Sequence, residues 1–151
     1  MMKKWFFSNS TFDPMASAGL LALRIGIGSM MLGLHGWEKY QNFAQAKDSF
    51  PVPKIVLLSS WMNSTTSLVC TIFAEVVCSA LIIVGMATRP AAVLLAFTMT
   101  MAAFVVLADK PLAGKEMALL YLTAAVALFF TGGGIYSFDA RFSIVKKRMF
   151  S

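Results

Sequence analysis

Four apolar segments, each close to the length that crosses a bilayer, decide most of what this chain can become. They run over about 15–37, 66–87, 91–108 and 116–136. A helix rises 1.5 Å per residue, so roughly 20 apolar residues cover a hydrocarbon core of about 30 Å. Inside that core the backbone has no water to bond, and a spanning segment of this length satisfies itself as a helix. The expected fold is an all-α membrane protein, one four-transmembrane-helix bundle occupying residues 1–151. Composition agrees, because only 13% of residues are charged while 58% are hydrophobic. A soluble domain carries about twice that charge.

The punctuation between segments is equally legible. Thr88-Arg89-Pro90 separates the second and third spans, and proline in a first helical turn marks a tight turn into a new helix. The fourth span is strongly apolar only to Phe130 and reaches full length if 131–136 continues it, against the helix-weakening Gly132, Gly133 and Gly134. The connection 40–65 holds "FPVPKIVLLSSW", too short to cross. Pro51 and Pro53 break it, so a short interfacial or re-entrant segment is expected between helices 1 and 2, with Trp61 at headgroup depth. The opening "MMKKWFF" precedes an apolar run too long for a signal peptide, so a retained first span is expected.

The net charge is +6. The basic residues sit between spans or at the ends, as topology determinants do, and no basic domain is left to bind nucleic acid. With both termini on one side, that side collects Lys3, Lys4, Arg89, Arg141, Lys146, Lys147 and Arg148 against Lys39, Lys47, Lys54, Lys110 and Lys115. The bias predicts cytoplasmic termini. Cys70 and Cys78 are eight residues apart on one span, about 12 Å along a helix, too far for a disulfide. The sequence offers no metal-ligand spacing, no phosphate loop and no catalytic triad order, so no metal site, covalent cofactor or catalytic residue is assigned.

Charges within a span are costly unless paired or facing a wet cavity. Arg24, His35 and Glu75 are such residues, and Glu116 and Asp109 lie near span edges. At about 100° per residue, Arg24 and His35 share a face of the first helix. Ser67, Thr71, Glu75 and Ser79 recur every four residues on the second. Depth along the helices predicts two layers, Arg24 with Glu75 inside and His35 with Glu116 and Asp109 outside. The same residues, Arg24, His35, Glu75 and Glu116, read either as structural, fixing helix register, or as a ligand-binding or proton-handling polar core. Glu116 has a further reading as a helix-start carboxylate favoured by the dipole. Opposite this face, Gly19, Ala22, Gly26, Ser29, Gly33 and Gly36 form a run of small residues. Gly19, Gly26 and Gly33 anchor it as an expected packing seam for a neighbouring helix, within the bundle or in a homo-oligomer through helix 1.

These residues together resemble the DoxX family of small four-helix integral membrane proteins. The likeness rests on Arg24, His35-Gly36 and Lys39, then Pro51 and Pro53, Glu75, Gly85, Thr88-Arg89 and Glu116. It continues through Gly132-Gly133-Gly134 and "YSFDARF", with Ser137 and Asp139 in a Ser-x-Asp pattern. It spans about 16–142. Val76 and Val77 stand where the family often has a glycine pair. The resemblance implies a membrane subunit of a quinone-linked redox system, of thiosulfate:quinone or thiol and oxidative-stress type, with quinone as electron carrier and a redox partner protein. The alternative it implies is a non-enzymatic membrane scaffold or chaperone. Fold-level kinship does not choose between them.

Overall fold

A computed structural model describes residues 13–53 and 62–142 of the chain. Four helices long and apolar enough to cross a membrane follow one another: α1 (Pro14–Gln41), α2 (Ser64–Val84), α3 (Thr88–Val106) and α4 (Leu112–Thr131). No strand occurs among the described residues. The protein is an all-α, multi-pass membrane protein.

Local chemistry explains where each helix starts and stops. The Asp13 carboxylate accepts from the Ala16 amide at 2.7 Å, and Pro14 fills the first position of α1. Asn63 caps α2 in the same way through the Thr66 amide at 2.8 Å. At the far end of α2, Gly85 adopts φ +76°, the left-handed conformation that closes a helix and that glycine tolerates best. Only Gly85, Met86 and Ala87 separate α2 from α3. The fourth helix ends at Thr131, because Gly132 leaves the helical region with φ 73° and ψ −167°. The expected continuation to Tyr136 therefore does not form. Residues 132–137 are non-helical and lie against α1, and one helical turn follows at 138–142.

The first helix runs on to Gln41, and a short helical turn follows at Phe43–Ala46. The connection is tied to the start of α2 by Ser67 Oγ, which donates to the Pro51 carbonyl at 2.8 Å, and by Thr65 Oγ1, which donates to that of Lys47. Residues 54–61, with Trp61 and most of the expected interfacial or re-entrant segment, lie outside the described residues.

Small and medium side chains fill the core: Ala91, Ala92, Ala103 and Ala125 with Met31, Ile82, Leu95, Met99 and Leu128. The bulkiest apolar groups turn outward instead, Phe97, Phe104, Leu120 and Phe130 among them. That inversion suits helices that meet through small residues and offer large ones to lipid.

Three of the helices contain a π turn, at Met31–Gly36 in α1, Phe73–Cys78 in α2 and Ala102–Val106 in α3. Such a turn absorbs one extra residue, so everything beyond it lags by about 100° in phase. On α1 this puts Gly36, rather than His35, in line with Arg24. A Cβ on Gly36 would meet the Glu75 backbone at 2.9 Å, and one on Gly28 would meet the Ser79 carbonyl at 3.1 Å. The helices α1 and α2 are therefore antiparallel and almost in backbone contact along Gly28 and Gly36. The expected seam faces away from the bundle: a Cβ on Gly19, Gly26 or Gly33 would meet nothing within 4 Å, so they touch no described helix of this chain. Gly36 leaves that seam because the π turn rotates it onto the packed face.

Candidate functional site

Two buried polar clusters exist, and their membership differs from the expected layers. Arg24 and Glu75 do not pair. The contact register sets Gly36 opposite Glu75, whereas Arg24 packs against Gly85, ten residues further along α2 and about 15 Å away by helical rise. The depth argument failed because it aligned the ends of α1 and α2, and α1 is in fact shifted along its axis relative to α2.

Arg24 belongs to the corner where the chain's last described segment meets α1, α2 and α3. Its side chain is fully buried, and its Nη2 donates to the Tyr136 carbonyl at 3.0 Å. A Cβ on Gly85 would overlap Arg24 Nη1, so glycine is required there by space as well as by its positive φ. Asp139 is the carboxylate whose field reaches both Arg24 and the buried Arg89. It also caps α3 from 51 residues away: Oδ2 accepts from the Thr88 amide at 2.9 Å and Oδ1 from the Ala87 amide at 2.8 Å. Ala87 has φ +49°, a left-handed conformation that costs an alanine about 1–2 kcal/mol, and this bond to Asp139 holds it. The Asp139 amide returns a bond to the Gly85 carbonyl at 3.0 Å. Nearby, the Ile135 amide donates to Ser17 Oγ, and Ser137 Oγ donates to the Gly134 carbonyl. These contacts fasten 132–140 to three helices.

The second cluster lies near the middle of α2. Glu75 is buried within its π turn, and its Oε2 takes a 2.7 Å salt bridge from Lys39 Nζ. Lys39 reaches it because helical side chains lean toward the N-terminus, here back along α1 toward the level of Gly36. The field of Glu75 also reaches the Tyr121 hydroxyl on α4. Tyr121 in turn meets His35 edge to face, with ring centroids 5.5 Å apart. Buried Tyr121 Oη and His35 Nε2 have no hydrogen-bond partner among the described residues. Buried polar atoms are bonded in the great majority of cases, so these two adjacent exceptions leave hydrogen-bonding capacity unmet here, as Arg24 Nε and Nη1 do in the first cluster.

Of the expected residues, Glu75 and His35 thus share one neighbourhood, through Tyr121 and Lys39. Arg24 is in the other cluster. Glu116 and Asp109 are exposed, and neither joins His35. The expected stripe on α2 does face inward: Ser67, Glu75 and Ser79 are buried and Thr71 is half-buried. Four-residue spacing drifts by about 40° per step on an α-helix, and the π turn takes that drift back. Tyr121 and Ser17 were not singled out by sequence. A lone tyrosine amid the apolar run 117–130 was the available signal, since a phenol in a membrane core needs a partner.

A family model described as DoxX matches residues 19–108, more than half of the 151-residue chain. The chain belongs to the DoxX family. No curated protein and no solved structure gives a match. The matched DoxX region carries Arg24, His35, Lys39, Glu75 and Arg89. Tyr121 and Asp139, which complete the two clusters, lie beyond it.

Proposed function

We propose that this DoxX protein is the membrane subunit of a quinone-linked redox system, of the thiosulfate:quinone or thiol and oxidative-stress type, working with a redox partner protein. The observation that supports this reading is the Lys39–Glu75 pair beside the unpartnered Tyr121 hydroxyl and His35 Nε2, at mid-helix depth. Three π turns, a feature frequent at functional sites, occur in the helices that surround it. A bound quinone supplies a lipid-soluble acceptor of two electrons and two protons. The residues present fit such a group, because buried donors without partners suit its carbonyl oxygens. Lys39 and Glu75 share a proton-bearing contact at 2.7 Å, and the His35 imidazole has two ring nitrogens that donate or accept, so the cluster can hold and pass protons. In this reading the Arg24 and Asp139 corner is architectural. The protein resides in a bacterial-type inner membrane with both termini cytoplasmic.

Purification in mild detergent followed by extraction of bound lipids tests the proposal. Quinone retained in stoichiometric amount, and reduced when the co-purifying partner receives thiosulfate or thiol, is the expected result. A stoichiometric partner protein with no quinone would instead select the scaffold or chaperone reading. That reading draws on the open face of Gly19, Gly26 and Gly33, which leaves room for a helix of a partner or of a second copy.

A further inference from the structure

We infer that Tyr121 and His35 form a lateral port between α1 and α4, where a ligand oxygen arriving from the lipid takes its hydrogen bond from the Tyr121 hydroxyl. The inference rests on the quinone reading above and assigns residues and a route to it. Tyr121 is 5% exposed, and its hydroxyl is buried without a partner among the described residues. Burying an unbonded hydroxyl costs about 1–3 kcal/mol, so this group gains by meeting an acceptor. Among the described residues its ring contact is His35, half-buried on the π turn of α1 and likewise unpartnered at Nε2. Glu75 is engaged by Lys39, so its bonded Oε2 is not the missing acceptor.

The surroundings indicate the direction of entry. Leu34 beside His35 is 62% exposed, and Met117 and Leu120 on α4 are 55% and 58% exposed. The outer rim is thus apolar and faces lipid, while the polar atoms lie one layer inside. A charged or strongly hydrated ligand would be rejected by that rim. A neutral, lipid-soluble compound with a carbonyl oxygen satisfies both layers. Rotation of the half-exposed His35 ring, an ordinary side-chain motion, uncovers the hydroxyl. His35 Nε2 is a second unbonded polar atom in the same ring pair, and Glu75 is the carboxylate whose field reaches the Tyr121 hydroxyl.

Binding of a short-chain ubiquinone to the purified protein, read by fluorescence quenching, tests the port alongside a thermal melt. Tyr121→Phe removes the hydroxyl and keeps the ring against His35. The expected result is an unchanged or slightly raised melting temperature with ubiquinone affinity reduced about tenfold, the worth of one buried hydrogen bond. A diazirine-bearing ubiquinone should label Leu34, Met117 or Leu120. If the wild type binds ubiquinone and Tyr121→Phe binds it equally well, the port is wrong and the quinone reading survives. A fall in melting temperature with affinity unchanged would show a purely structural tyrosine and would likewise overturn the port. If the wild type binds no ubiquinone, both the quinone reading and the port fall.

Discussion

At the scale of single residues, charge in this bundle is tolerated because each buried group has a specific neighbour. Lys39 and Glu75 make the clearest pair. Replacing Lys39 by Met strands the Glu75 carboxylate and should destabilise the fold by about 3 kcal/mol, the lower end for a broken buried pair because Lys39 keeps some exposure. Removing both, with Lys39→Met and Glu75→Leu, should restore most of that loss, since apolar replacements of a buried pair are often neutral. Thermal unfolding in detergent measures both, and a double variant as unstable as the single one would contradict the pairing. Asp139 carries a heavier duty: its field reaches two buried guanidiniums and it caps α3. Asp139→Asn should cost about 3–5 kcal/mol, because Arg24 and Arg89 lose their shared counter-charge and an amide NH₂ faces a backbone donor. Unaltered stability of that variant would show the charge to be dispensable.

At the scale of helices, glycine position separates contact from open surface. Gly28 lies against Ser79 and Ile83, while Gly26, two residues earlier, meets none of the described residues. Gly28→Ala should therefore strain the contact between α1 and α2 by about 1–3 kcal/mol, whereas Gly26→Ala should change monomer stability by no more than about 0.5 kcal/mol. Equal effects would mean that the helix faces are assigned wrongly. The same pair bears on assembly, because Gly26→Leu should alter mass by light scattering only if α1 meets a second copy. The π turns belong to this scale too. They decide that Gly36 packs while His35 turns toward Tyr121, and α-helical counting places those two residues the other way round.

At the scale of the whole molecule, α1 and α2 run antiparallel, and the short links at 85–87 and 107–111 reverse the chain twice more. Both ends of the described bundle thus fall on one side, and the basic residues near the termini predict that this side is cytoplasmic. A reporter fused after Ser151 should be active as a cytoplasmic reporter, and one inserted within 41–48 should be active only outside. Matching signals from the two sites would refute the topology. The segment 132–140 closes the terminal end of the bundle by binding α1 through Ser17 and Arg24 and the start of α3 through Asp139.

Hydropathy and length determined the four spans, and single punctuating residues such as Asp13, Gly85 and Gly132 determined most of their ends. Those signals are local, since a bilayer acts on every apolar stretch in the same way and a cap acts within one turn. The need for buried partners for Arg24 and Glu75 was legible for the same reason: a charge among apolar neighbours is anomalous wherever it occurs. Which partner each finds was decided by tertiary structure alone. Axial shift between α1 and α2 sends Arg24 to Gly85 and Asp139, and the π turns set the final facing of His35, Gly36 and Lys39. Both depend on contacts between helices far apart in sequence, and one residue of slip or one extra residue in a turn rotates a side chain by about 100°.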